Sequence, residues 1–218
     1  MTEMGLRPVA RMWEMTGGDL GDPGLVEGFS TRVGSRMGAI PGYRGKVVLV
    51  DRERAALRGL SVWDSEEALE NSWGLFAPVA AAMARAASAT VTEPRTFEVI
   101  HSRFRGVHGR PPMAEEISRM RARLSMLHGG EVTRPWVTDV IRKRLSEAVA
   151  LAPGCVAALL FCDRDTSTVL STSIWADTAS VERTSTFFSE SFSAIAEASR
   201  STMGDGRTYE VLHYQQPG

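Results

Sequence analysis

Three side chains in the N-terminal half could together hold an aromatic anion. Arg11 and Trp13 are two residues apart in an apolar, alternating run that predicts a strand, so both leave the same face. Trp73 lies one turn before Phe76 in a segment whose apolar spacing predicts a helix packed on the sheet. Indole rings stack on flat aromatic molecules, and a guanidinium can hold a phenolate oxygen. The pattern therefore predicts a binding site for a flat aromatic molecule with an acidic oxygen.

The arginine has a second interpretation of equal weight. Arg11 and the later Arg123 could instead pair with Glu98 and Glu210, because oppositely charged side chains often meet across neighbouring strands. A ligand-binding arginine and an arginine in a structural ion pair both stay open.

The histidines and two of the tryptophans are better explained by structure than by catalysis. His101 and His213 end matching strands and could act as general bases near neutral pH. Neither has a partner at a known catalytic spacing, so structural hydrogen bonds are favoured and no catalytic residue is assigned. Trp63 and Trp175 are expected in the core, because an indole buries a large area. The remaining histidines are His108 and His128, and neither lies at a metal-ligand spacing from any Cys, Asp or Glu. No metal site is therefore predicted.

The composition is that of an ordinary globular protein. The chain has 218 residues, of which 43% are hydrophobic and 23% charged, and its net charge is -1. The sequence has no excess of basic residues that would indicate nucleic-acid binding. It also has no apolar run long enough for a membrane span, and residues 1–7 do not resemble a secretion signal. Cys155 and Cys162 lie in one apolar run at an odd spacing, so a strand would place them on opposite faces and prevent a disulfide. Two free thiols predict a reducing, cytoplasmic location.

The chain contains an internal repeat with an offset of 112 residues and no gaps. The matched positions run along the whole sequence: Ala10 and Arg11 with Ala122 and Arg123, Gly17 with Gly129, Pro41 and Gly42 with Pro153 and Gly154, Asp51 with Asp163, Ser61 with Ser173, Trp63 with Trp175, Phe76 with Phe188, Glu98 with Glu210, and His101 with His213. Solenoid units are roughly 20 to 50 residues long, so this longer period predicts a duplicated domain.

Each copy predicts the same order of elements. The first strands are expected at residues 9–15 and 119–127, and each is followed by a helix with an apolar residue at every fourth position: Leu25, Phe29, Val33 and Met37 in the first copy, and Val137, Ile141, Leu145 and Val149 in the second. Hairpins follow at 46–63 and 156–175. Ser65 and Asp177 are good N-caps for a second helix, which Gly74 and Pro78 should kink in the first copy. Last strands cover 95–101 and 207–213.

This order is the ferredoxin-like βαββαβ unit. The predicted fold class is therefore α+β, with two tandem ferredoxin-like repeats at residues 7–104 and 118–216 and a loop-forming linker at 105–117. The helices of each repeat cover one face of its sheet. The other face is also apolar and must be buried, and the second repeat is the expected partner.

Several motifs resemble the antibiotic biosynthesis monooxygenase domain family. They are Ser-Val-Trp-Asp-Ser-Glu-Glu-Ala-Leu at residues 61–69, the Pro-Gly before each second strand, and the closing Thr-Phe-Glu-Val or Thr-Tyr-Glu-Val. The resemblance covers nearly all of both copies. It implies the dimeric α+β barrel, with one chain forming as a pseudo-dimer the barrel that other members build from two chains. Further self-association stays open.

The resemblance also implies an activity. Quinone-forming members of the family oxidise aromatic, polyketide-like substrates with molecular oxygen and no cofactor, so the resemblance implies that no cofactor is needed here. Asn71 and Trp73, on the second helix of the first copy, are side chains of types that quinone-forming members use there, although the spacing differs and no tyrosine follows. Haem-degrading members use a histidine on this helix. Neither copy has one, so haem degradation is not expected.

The two copies differ most at three aromatic positions. Trp13, Tyr43 and Trp73 correspond to Ser125, Cys155 and Ser185. We therefore expect unequal pockets between helices and sheet, the first lined by aromatic surface and the second emptied or enlarged. The predicted substrate-binding set lies in the first copy: Arg11, Trp13, Asn71 and Trp73. Two functions stay open, namely a cofactor-independent monooxygenase and a non-catalytic protein that binds a small ligand or has a structural role.

Overall fold

The structure is a computed structural model that describes residues 7–20, 22, 24, 37, 39–204 and 206–216. Within these residues the chain forms ten strands: β1 (Val9–Thr16), β2 (Tyr43–Asp51), β3 (Ala56–Trp63), β4 (Thr90–Val91), β5 (Arg95–Phe104), β6 (Arg121–His128), β7 (Cys155–Asp163), β8 (Thr168–Trp175), β9 (Thr202–Met203) and β10 (Arg207–Gln215). The same part of the chain forms four helices: α1 (Glu66–Ala87), α2 (Ala114–Ile117), α3 (Pro135–Leu151) and α4 (Thr178–Ala198). The predicted mixed α+β class with antiparallel strands is confirmed.

One predicted helix cannot be compared with the structure. It was inferred from Leu25, Phe29 and Val33, which lie outside the described residues. The corresponding helix of the second copy is α3, whose Val137, Ile141 and Leu145 are buried as the period predicts. The side chain of Val149 again lies outside the described part of the chain.

The chain divides into two compact units. The first consists of Met1–Glu98 and Val211–Gly218, and the second of Val99–Glu210. Both boundaries fall within strands, so β5 and β10 each contribute one end to each unit. The repeat bounds at 7–104 and 118–216 stay a prediction.

The sheet of the first unit has the strand order β10, β2, β3, β1, β5, in which β10 contributes residues 211–215 and β5 contributes residues 95–98. β1 pairs antiparallel with both β3 and β5. The register places Arg11 opposite Ser61 and Trp13 opposite Gly59. Helix α1 packs on one face, where Trp63 and Phe76 belong to its buried core. The helix-facing side of β1 is therefore the side on which Trp13 points.

The second unit has the order β5, β7, β8, β6, β10, with residues 99–104 of β5 and 207–210 of β10. Here Arg123 lies opposite Ser173, and Ser125 lies opposite Ser171. These pairs stand at an offset of 112 positions from those of the first unit. Helices α3 and α4 cover a core that includes Trp175.

The start of the long helix in each unit agrees with its predicted cap. The Ser65 hydroxyl accepts a hydrogen bond from the Ala68 N–H, and the Asp177 carboxylate accepts one from the Ser180 N–H. Such caps satisfy donors that the first helical turn leaves unpaired. Trp63 and Trp175 end the preceding strands and are fully buried, which confirms their predicted place in the core. Each indole N–H donates at 3.0 Å to the serine two residues earlier. Helix α1 continues through Pro78.

The linker holds more structure than the predicted loop. Its last four residues form α2. The Arg110 guanidinium donates to both carboxylate oxygens of Glu116 at 2.8 and 2.7 Å, and Glu116 also accepts from the Met113 N–H. The Arg110–Glu116 ion pair connects the segment before α2 to the helix, and the bond from the Met113 N–H to Glu116 caps the first turn of α2. The strands β4 and β9 were also not predicted, because two residues carry no readable period.

Candidate ligand-binding site

A cavity of about 660 Å³ lies in the second unit between β6 and α4. Cavities of roughly 300 to 1,000 Å³ hold small organic molecules, so this one is large enough for a ligand of several rings. Strand β6, helix α4 and the segment around β9 supply its lining: Arg123, Ser125, Ser185, Thr186, Phe188, Ser189, Glu190, Phe192, Met203 and Gly206.

Arg123 is the positively charged residue of this lining. Its side chain leaves β6 on the face that α4 covers and is partly buried. Burial lowers the pKa of its guanidinium, and no charged neighbour contributes to that shift. Among the described residues, no carboxylate forms an ion pair with it. The guanidinium carbon lies 6.0 Å from the centroid of the Phe188 ring. The positive charge of Arg123 therefore lies beside the Phe188 ring in the lining of the cavity.

The remaining lining combines hydroxyl groups with two aromatic rings. Ser125 is buried on β6, directly opposite the buried Ser171 of β8. Phe188 and Phe192 are also buried and lie four residues apart, so they form one stripe of α4. Such a surface can contact a flat ring and still offer hydrogen bonds at its edge.

In the first unit an indole lies at the equivalent place. Trp13, the counterpart of Ser125, is 3% exposed and packs over Gly59, the counterpart of Ser171. A Cβ atom added to Gly59 would lie 2.0 Å from the Trp13 ring, so a side chain at residue 59 is sterically incompatible with this indole. The Trp13 ring also contacts Phe76, with centroids 5.2 Å apart, and Phe76 contacts Trp73 at 5.5 Å.

Arg11 is the first unit's counterpart of Arg123, but it has a partner. Its Nη2 atom donates to Glu70 Oε1 at 2.6 Å, and its guanidinium lies 4.9 Å from the Trp73 ring centroid. Neither predicted interpretation named Glu70, because that residue is on α1 and not on a neighbouring strand. The Nε and Nη1 atoms of Arg11 are buried without a hydrogen-bond partner among the described residues.

The structure brings together three of the four predicted binding residues. Arg11, Trp13 and Trp73 form one contacting group in the first unit, whereas Asn71 is exposed on α1. Tyr43 packs edge-on against Trp63, with centroids 5.2 Å apart, and so contributes to the core. The assignment of these residues to a substrate site stays a prediction. The exchange of Trp13 and Trp73 for Ser125 and Ser185 is the sequence signal that pointed to a different site at the equivalent place in the second unit.

The two histidines at matching positions share unusual surroundings. Burial lowers the pKa of His213 to about 4, and the charge of Lys46 acts in the same direction, while a hydrogen bond with the Gln215 side chain opposes them. Burial also lowers the pKa of His101, with a smaller effect from two arginines. The Nε2 atom of each is buried without a hydrogen-bond partner among the described residues. The structural role expected for both histidines stays a prediction.

Sequence reasoning missed Lys46. The residue is 1% exposed, and its Nζ atom has no hydrogen-bond partner in the described part of the chain. Burial lowers the pKa of this amine from 10.5 to about 7. In the sequence Lys46 opens an apolar run, and a single charged residue at the edge of such a run does not signal burial.

Searches for metal-binding clusters and membrane-spanning helices give no candidate in the described residues. No group of three or more His, Cys, Asp and Glu side chains there could hold a metal ion. No described helix is long and apolar enough to cross a membrane. Cys155 and Cys162 are buried, and neither forms a disulfide within the described residues. The cytoplasmic location stays a prediction.

Comparison with solved structures identifies similar folds. The chain is similar to a proposed monooxygenase from Fusobacterium nucleatum, with a TM-score of 0.73, 12% identity and coverage of 99% of this chain and 97% of that chain. A proposed monooxygenase from Lactobacillus acidophilus has a TM-score of 0.71 and 10% identity, with 97% of both chains covered. An anthrone oxidase-like protein has a TM-score of 0.57 and 16% identity, with 97% and 94% covered. No family model and no curated protein sequence matches the chain. At these identities the likeness establishes the fold and not the reaction.

Proposed function

We propose that the second unit binds a small, flat aromatic molecule with an acidic oxygen, and that the protein oxygenates this molecule with molecular oxygen and no cofactor. The observation that carries the proposal is the guanidinium of Arg123. It is partly buried in a cavity of about 660 Å³ and has no carboxylate partner among the described residues. A partly buried cation of this kind favours an anionic ligand, because pairing offsets the cost of the hydration it has lost.

The contacts in the first unit support the orientation of such a ligand. There the Trp13 ring packs on Phe76, the counterpart of Phe188, on the strand that also carries Arg11. In the second unit a bound ring takes the place of the indole, stacks on Phe188 and directs its acidic oxygen to Arg123. The hydroxyl groups of Ser125 and Ser185 line the same cavity and can bind further polar substituents.

The chemistry that this arrangement supplies is stabilisation of a substrate anion. A positive charge close to a phenol lowers the pKa of that phenol, and the resulting phenolate is a stronger electron donor to oxygen. In a reduced polycyclic phenol, a ring CH₂ group becomes a carbonyl, one atom of O₂ enters the product and the other leaves as water. Arg123 holds the anion, and Phe188 and Phe192 exclude water from the ring.

Binding without turnover is the second candidate function. One observation favours it: the lining contains no histidine, and its one carboxylate, that of Glu190, is exposed at the rim. A buried general base is therefore not among the lining residues.

The test uses the full chain and a panel of reduced polycyclic phenols. Binding is measured by calorimetry and turnover by oxygen consumption. Arg123→Met should weaken binding of the anionic ligand by about 10- to 100-fold, the range for losing a charged hydrogen bond. Arg183→Met is the matched control, because Arg183 is an exposed arginine of α4 that does not line the cavity. Binding without oxygen consumption would favour the second candidate, and no saturable binding of any phenol would contradict both.

The sequence-based site in the first unit remains a separate proposal for the same class of ligand, through Arg11, Trp13, Asn71 and Trp73.

We also propose that the two repeats form the pseudo-dimeric barrel implied by the family resemblance. Residues 7–104 alone lack the segment 211–215, which lies beside β2, and residues 118–216 alone lack the segment 99–104 beside β7. Separately produced halves should therefore associate in gel filtration. Two stable monomeric halves would contradict the shared barrel.

A further inference from the structure

A row of hydrogen-bond donors crosses the first unit's sheet on the side that faces α1. Arg11 on β1 and Lys46 on β2 are both register partners of Ser61 on β3. Paired residues point to the same face, so the three side chains stand side by side. The neighbours at the next positions, Trp13 and Val48, belong to the core beneath α1.

These donors are buried and incompletely paired. Arg11, Ser61 and Lys46 are 9%, 5% and 1% exposed. The Lys46 Nζ atom and the Arg11 Nε and Nη1 atoms have no hydrogen-bond partner among the described residues. The Ser61 hydroxyl accepts from the Trp63 indole, so its own proton is still available to donate. Unpaired buried donors are costly, and three neighbouring residues with free donors indicate a missing acceptor.

The charges in this region define the acceptor. Arg11 and a protonated Lys46 carry two positive charges, and Glu70, which pairs with Arg11, carries one negative charge. A bound monoanion would balance the remaining positive charge. The outer strands are two strand spacings apart, about 10 Å, so a planar group with two oxygens can accept from Arg11 at one side and Lys46 at the other, with Ser61 between them.

The second unit lacks this arrangement. The position of Lys46 is occupied there by Ala158, which pairs with Ser173 in the same register. The row in the first unit is therefore not a general property of the fold, and Ala158 shows that the sheet tolerates an apolar residue at this position.

We propose that Arg11, Ser61 and Lys46 form a buried binding site for the carboxylate of a small organic acid in the first unit, separate from the cavity of the second unit. Carboxylate binding holds Lys46 in its charged form. The lowered pKa of Lys46 in the free protein should therefore rise when the acid is bound.

The chain offers an internal control for this test, because it contains two lysines, Lys46 and Lys143, and Lys143 is exposed on α3. With ¹³C-labelled lysine, the side-chain resonances of both report protonation in the full-length protein. Sodium acetate is the probe, and sodium chloride at equal ionic strength is the control. We expect acetate to shift the Lys46 resonance saturably towards the charged form at pH 8, without moving that of Lys143.

The variants Lys46→Met and Arg11→Met should each weaken acetate binding at least about tenfold, measured by calorimetry. The resonance measurement on the parent protein decides the matter if a variant does not fold. An equal response to chloride, equal shifts of both lysines or no shift of Lys46 would overturn the proposal. Tighter binding of inorganic phosphate than of acetate would overturn the assignment to a carboxylate.

Discussion

The two units differ at equivalent positions on the helix-facing side of their sheets. In the first unit the Trp13 indole packs over Gly59, while in the second Ser125 faces Ser171 beside a cavity of about 660 Å³. The strand arginine and the helix phenylalanine are present in both units. The units therefore differ in the free volume between sheet and helix. This volume depends on two opposed strand positions, because the Trp13 indole requires glycine at residue 59.

The largest effect is expected from moving the first unit's pair into the second unit. Ser125→Trp combined with Ser171→Gly should abolish ligand binding, because the indole then occupies the volume that the ligand needs. Calorimetry with the best phenol of the panel measures the loss. Ser171→Gly alone is the control and should bind normally. A folded double variant with unchanged affinity would show that the ligand lies elsewhere.

The reverse exchange tests the coupling through stability. Gly59→Ser should lower the free energy of unfolding by about 3 kcal/mol, because its Cβ would meet the Trp13 ring at 2.0 Å. Adding Trp13→Ser should recover part of this loss, since the resulting pair is the one that the second unit contains. Urea unfolding of both single variants and the double variant gives the coupling energy. Strict additivity would mean that the two positions are independent.

Lys46 predicts a pH dependence that arises in the first unit alone, because Ala158 stands at its place in the second. Burial lowers the pKa of Lys46 from 10.5 to about 7, so between these values the unfolded chain binds more protons than the folded one. Stability should therefore rise with pH, by on the order of 2 kcal/mol between pH 7 and 9. Urea unfolding of Lys46→Met should show a flatter pH profile over this range. An unchanged profile would exclude Lys46 as its source.

The smallest effects separate the two proposed ligand sites. Ser185→Trp should weaken ligand binding about tenfold if the second cavity is used, since the new ring would project into it. Trp73→Ser should then leave affinity unchanged. The sequence-based site in the first unit predicts the reverse, with a loss of about 1 to 3 kcal/mol for Trp73→Ser, the range for one buried aromatic contact. Titration of both variants with one phenol decides between them.

Local patterns predicted much of the fold. Ser65 and Asp177 cap helices because their side chains satisfy nearby N–H groups, and this depends on a few neighbouring residues. The exchanges of Trp13 and Trp73 for serine predicted unequal surroundings. Other features depend on contacts between distant segments. The ion pair of Arg11 with Glu70 requires α1 to lie over β1, and the burial of Lys46 depends on residues outside its own strand. Such features cannot be inferred from spacing along one strand.

The assignment of Val211–Gly218 to the first unit has a consequence for the synthesis of the chain. During translation the second unit has all of its strand segments once Glu210 has been made. The first unit, although synthesised earlier, still lacks the segment beside β2 at that moment. A chain that stops after Glu210 would thus lose a strand segment from the unit that begins the sequence, and β2, far from the cut along the sequence, would lose a neighbour.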